Sequence, residues 1–164
     1  MIRLTLFAAL LLAAPAVAQT PDDAQAFASC QKAAATGDLA AEAALGRLYI
    51  TGRGTTKDVA RGLALWTRAA DNNGKHRGPD SGALASVQKS LGELYYAGTD
   101  VPQDYAKAYY WLELAGDTMV MDSGADTTGD AELDAESAEC AKHVPAEQQM
   151  QVLLDIAKWH RAHD

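Results

Sequence analysis

The chain has 164 residues, a formal net charge of −8 and two cysteines. The acidic balance argues against nucleic acid, where affinity comes largely from Lys and Arg on phosphates. It argues equally against binding an anionic membrane surface.

At the N-terminus, Met1-Ile2-Arg3 supplies one positive charge, and Leu4 to Ala14 is apolar apart from Thr5. Pro15 then precedes Ala16-Val17-Ala18. A basic start, a short apolar run and an A-x-A site form the pattern of a secretory signal peptide. The run falls short of the roughly 20 residues that span a bilayer. An uncleaved anchor or a buried helix is the competing reading. The expected division is a signal peptide over residues 1–18 and one domain over 19–164, whose formal charge becomes −9 when Arg3 is removed. No cysteine follows the site, which argues against a lipid anchor. The alanine-rich leader suggests a bacterial protein, placed in the periplasm or outside the cell. No second long apolar segment follows, so no membrane insertion of the mature chain is expected.

The first predicted helix runs from Asp22 to Ala35, with Ala26, Phe27, Cys30, Ala33 and Ala34 on one side and Gly37 closing it. A repeat follows. Leu45-Gly46-Arg47-Leu48-Tyr49 aligns with Leu91-Gly92-Glu93-Leu94-Tyr95 at an offset of 46 residues. The same offset carries Gly52 to Gly98, Asp58 to Asp104, Arg61 to Lys107, Leu65 to Trp111 and Ala69 to Ala115. Matches at one fixed offset are the signature of a repeat array.

Each unit, about residues 41–73 and 87–116, predicts two helices. Gly52 and Gly98 stand just past the last apolar position, where a left-handed residue often closes a helix. Asp58 and Asp104 are placed to cap the second helix. That helix is predicted over 59–71 in the first unit and 105–116 in the second. Segments 72–82 and 117–129 read as insertions. Two further helices are predicted over 130–142 and 145–162, the last a polar terminal cap. Partial units therefore flank the two full ones.

The stretches LGELYYAGTDVPQDYAKAYYWLELAG and LGRLYITGRGTTKDVARGLALWTRAA resemble the Sel-one-like repeat, a relative of the tetratricopeptide repeat. The second stretch departs from the pattern at Arg61-Gly62, where the family has Lys-Ala. The resemblance implies an all-α superhelix, or solenoid, of helix-turn-helix repeats with a concave groove. It implies an adaptor or scaffold that binds a protein or peptide, with no cofactor and no catalysis. A cysteine-rich subgroup of the family is linked to β-lactam binding and hydrolysis. Its regular cysteine pairs are missing here, so that activity is not carried over; an enzyme or inhibitor acting on the cell wall stays as the alternative reading, motivated by the expected location and that link. End-to-end stacking in a larger envelope assembly is a third, and an exposed apolar end layer would motivate it.

Among the aromatic residues, Tyr49, Trp66, Tyr95, Tyr109 and Trp111 are expected in the core. Tyr96 and Tyr110 neighbour signature aromatics on other helical faces and are the candidate partner-binding residues. Cys30 and Cys140 pair by base rate in an oxidising compartment. Against this, they stand on elements two repeats apart, and a disulfide needs Cα atoms within about 7 Å. Both outcomes remain open on the sequence. His160, His163 and Asp164 are too few for a closed zinc site, which takes four ligands. The acidic run from Asp122 to Asp134 lacks the spacing of a calcium loop. Glu93 and Glu113 could serve as acids in a groove, but each lies one or two residues from a signature position and is read as a surface carboxylate. No G-x-S-x-G, H-E-x-x-H or phosphate-loop motif occurs.

Overall fold

The computed structural model describes residues 20–72, 81–123 and 131–163. The proposed signal peptide lies outside them, as does most of the acidic run. The described residues form helices and no strand: α1 (Pro21–Ala34), α2 (Leu39–Thr51), α3 (Val59–Asn72), α4 (Ser81–Ala97), α5 (Tyr105–Ser123), α6 (Ala131–His143) and α7 (Ala146–His163). None is long and apolar enough to cross a membrane. The chain is an all-α solenoid in which α1 to α6 pack chiefly on their neighbours in sequence, α2 on α3 and α4 on α5 most extensively, whereas α7 passes over α6 to pack on α5.

The recurrence at 46 residues has a physical cause, because the signature residues bind one another. Gly52 adopts φ +73° and donates its N–H to the Leu48 carbonyl at 2.9 Å. Gly98 adopts φ +62° and donates to Leu94 at 3.1 Å. The left-handed turn is open to glycine without strain. A Cβ on Gly98 would also meet the Gln103 Cβ at 2.6 Å. The chain then returns, and the N–H of Asp58 reaches the Tyr49 carbonyl at 2.8 Å, as that of Asp104 reaches Tyr95 at 3.1 Å. Each aspartate caps the second helix, accepting from the N–H of Arg61 at 2.9 Å and of Lys107 at 3.1 Å. Those two cations close the circuit. Arg61 lies 4.7 Å over the Tyr49 ring and Lys107 5.0 Å over the Tyr95 ring, both within cation–π reach.

A second recurrence sets how closely the helices of a hairpin approach. Gly46 lies against Trp66, and a Cβ there would stand 2.4 Å from the indole. Gly92 lies against Leu112, at 2.6 Å by the same measure. The glycines let α2 reach α3, and α4 reach α5, almost backbone to side chain.

At the N-terminal end, Thr20 caps α1. Its hydroxyl accepts from the Asp23 N–H at 3.2 Å while the Asp23 carboxylate accepts from the Thr20 N–H at 3.3 Å, a capping box with Pro21 at the first position. Phe27 packs edge-on to Tyr49 at 5.2 Å, and Arg53 pairs with Asp23 at 2.5 Å.

Helix ends depart from expectation in the second unit. α4 begins at Ser81 rather than near 87, and α5 runs past Gly116 to Ser123. Burial overrides the glycine here. Thr118 is fully buried, with its Oγ1 2.8 Å from the Leu114 carbonyl and 2.8 Å from the Gln88 side chain. Leu133 of α6 comes to within contact of Gly116. Met119 is thus part of a helix, not of an insertion.

α7 buries Val152, Ile156 and Trp159, and packs on α5. Its opposite side is not the polar surface expected of a cap: Met150, Leu153 and Leu154 are exposed there.

Candidate partner-binding surface

A cleft of about 210 Å³ opens between α2 and α4, the first helices of the two hairpins. Ala40, Ala43, Ala44 and Arg47 line one wall; Ala83, Ser86, Val87 and Ser90 line the other. The spacing is three and four residues on each helix, so each wall is a single helical face. Small side chains on both faces leave the space. Trp66 of α3 forms the floor, held by its indole N–H, which donates to the Ala43 carbonyl at 2.8 Å. Arg47 is exposed at the rim and makes no ion pair among the described residues. The volume lies below the roughly 300–1,000 Å³ of small-molecule sites. It suits one or two side chains of an extended chain.

The expected aromatic core residues are where the repeat puts them. Tyr49, Trp66, Tyr109 and Trp111 are buried, and Tyr95 is half-buried beneath Lys107. Tyr96 and Tyr110 are also half-buried, and they do not share a surface. Tyr96 ends α4 and meets Tyr105 edge-on at 6.1 Å; Tyr105 in turn stacks on His143 at 4.3 Å. Desolvation and then the Glu139 carboxylate push the Tyr96 phenol upward. Tyr110 lies across α5 from this cluster, edge-on to Trp111 at 4.9 Å. Burial, followed by the carboxylates of Asp71 and Asp155, pushes its phenol up to about 12. Neither tyrosine lines the cleft.

Cys30 and Cys140 are free thiols. Cys30 is half-buried in a small cluster of α1 and α2 with Ala34, Leu45 and Tyr49. Cys140 is fully buried in the main core. The two thiols thus belong to different clusters and are unpaired in this structure. Burial, followed by the Glu136 and Glu139 carboxylates, pushes the Cys140 thiol up to about 11.

The C-terminal histidines join helices. His163 stacks on Trp159 at 4.2 Å and reaches the Asp71 carbonyl at 2.8 Å, while His160 meets Asp117 at 3.2 Å. Glu113 accepts from the Ser137 hydroxyl, and Glu93 faces Lys89 at 3.9 Å. Both carboxylates tie neighbouring helices or turns together.

The cleft has a signal in the sequence, the small residues at 40, 43, 44 and at 83, 86, 90, but it emerges only when the two helical faces are set opposite each other.

These features define a class, an α-solenoid whose hairpins are cross-braced by Tyr, Gly, Asp and a cation. Within that class the chain carries two Sel1 repeats: the Sel1 repeat model matches residues 39–74 and 85–117. The chain is also similar to the crystal structure of a protective antigen present in uropathogenic Escherichia coli strains and displaying an SLR fold. The identity is 27% and the TM-score 0.64, over 85% of this chain. The chain spans only 26% of that protein's length. No protein of curated function matches the chain. Sel1 repeats generally mediate protein–protein interaction, which supports a scaffold role here.

Proposed function

We propose that this chain is an exported adaptor that holds an extended segment of a partner protein in the cleft between α2 and α4. The observation that carries the reading is the facing pair of small-residue walls over Trp66, with Arg47 at the rim. The walls admit partner side chains, the indole offers an apolar floor, and the guanidinium can take a partner carboxylate or carbonyl. The reading is of a binding module without catalysis. Export is supported by the N-terminal pattern, and cleavage after Ala18 would leave the Thr20 cap of α1 intact.

The test is photo-cross-linking from a native envelope extract with the mature chain as bait. Ser86→Trp fills the cleft from an exposed position and should reduce capture of the main partner at least tenfold. Tyr96→Ala and Tyr110→Ala, both outside the cleft, should leave it within twofold. Capture lost with Tyr96→Ala and kept with Ser86→Trp would move the interface to the α4–α6 side and overturn the proposal.

A further inference from the structure

The outer side of α7 carries a second apolar line. With 3.6 residues per turn, Glu147, Met150, Leu154, Ala157 and Arg161 fall on one stripe. It lies about opposite the buried stripe of Val152, Ile156 and Trp159. Met150 is 59% exposed and Leu154 55%, with Leu153 beside them at 42%. Alternating steps of three and four residues make the seam of a coiled coil. α7 is therefore apolar on two sides, and the first is satisfied by α5.

The charges on this outer line are ordered. Leu154 stands at its centre, Glu147 seven residues before it and Arg161 seven after. Lys158 adds to the basic half. A stripe of this pattern is complementary to itself when reversed. Two copies of α7 packed antiparallel, with Leu154 on the two-fold axis, set Met150 beside Ala157 and Glu147 against Arg161 twice. Such a contact is isologous and closes at two subunits. A parallel arrangement would set Glu147 on Glu147 and Arg161 on Arg161. The helix dipoles also favour the antiparallel one.

We infer that two copies of this chain associate through the outer face of α7, antiparallel about Leu154. The inference is independent of the cleft between α2 and α4. The contact is one helix face wide, so the dimer is a weak one, with Kd about 10–100 µM.

Sedimentation equilibrium of the mature chain across about 1–300 µM should show a monomer–dimer equilibrium in that range. Leu154→Glu is solvent-facing in the monomer, so its helicity should be unchanged while Kd rises at least tenfold. Glu147→Lys and Arg161→Glu should each weaken the dimer several-fold, and the two together should restore it. A strictly monomeric chain at the highest concentration overturns the inference. So does a dimer indifferent to Leu154→Glu, or a double reversal no tighter than either single one. A chain that stays monomeric yet binds another protein through Leu154 overturns it in favour of a foreign partner.

Discussion

The Nε2 of His163 lies 2.8 Å from the carbonyl oxygen of Asp71, 92 residues earlier in the chain. The same ring stacks on Trp159, and its Nδ1 lies 2.7 Å from the Trp159 carbonyl. One side chain thus ties the last turn of α7 to the last turn of α3. His163→Ala should lower stability by about 1–2 kcal/mol. A thermal melt by circular dichroism should show a Tm about 3–6 °C lower. An unchanged Tm would mean that the link is ornamental.

Three glycines predict opposite signs for one substitution. At Gly46 a Cβ meets Trp66, which cannot yield because its indole is bound to the Ala43 carbonyl. At Gly92 it meets Leu112, which is 1% exposed. Overpacking of this kind costs about 1–3 kcal/mol and outweighs the better helix propensity of alanine. Gly82 in α4 has nothing within 4 Å, so Gly82→Ala should stabilise by about 0.5 kcal/mol. Chemical denaturation of the three variants gives the comparison directly.

The two thiols should separate cleanly. Cys140 is fully buried and its thiol is held up to about 11, so at pH 8 almost none of it is thiolate. Cys30 is half-buried. A disulfide-exchange reagent should label one thiol per folded chain, mapping to Cys30 by mass spectrometry. The second should react at least a hundredfold more slowly, until denaturant is added. Absence of any free thiol would contradict the separation of α1 from α6.

The caps carry a pH dependence. Burial raises the Asp104 carboxyl, but the N–H and ammonium of Lys107 outweigh it and leave it below the usual value. A depressed acid stabilises fully above its unfolded pKa, near 3.9, and the contribution fades as pH falls through the lower folded value. Asp104→Asn keeps a capping oxygen without the charge. Its stability deficit should therefore be visible at pH 6 and shrink below pH 3, as measured by urea midpoints.

The repeat was legible because its residues satisfy one another. Tyr95, Gly98, Asp104 and Lys107 form one closed circuit within 13 positions, so local sequence carries the whole device. The extension of α5 was hidden because it depends on Gln88 and Leu133, which belong to other helices. The cleft was hidden for a related reason. Its floor is Trp66, whose partner at the 46-residue offset is Leu112, so the repeat alignment points away from it. The apolar outer line of α7 was present in the sequence, yet the helix reads there as a polar cap, and only the burial of Val152, Ile156 and Trp159 shows which of its apolar residues stay outside.

The link between Asp71 and His163 changes the topology of folding. Most pairings here join helices adjacent in sequence, so hairpins can form early and with little loop-closure entropy. The 71-to-163 contact instead closes a ring through α4, α5 and α6. Such a ring can shut only after the hairpins between its ends have found their packing, which makes the docking of α7 the natural last step of assembly. It also makes α7 the first element to open, so amide exchange in its final turn should run ahead of exchange in the helices that the ring encloses.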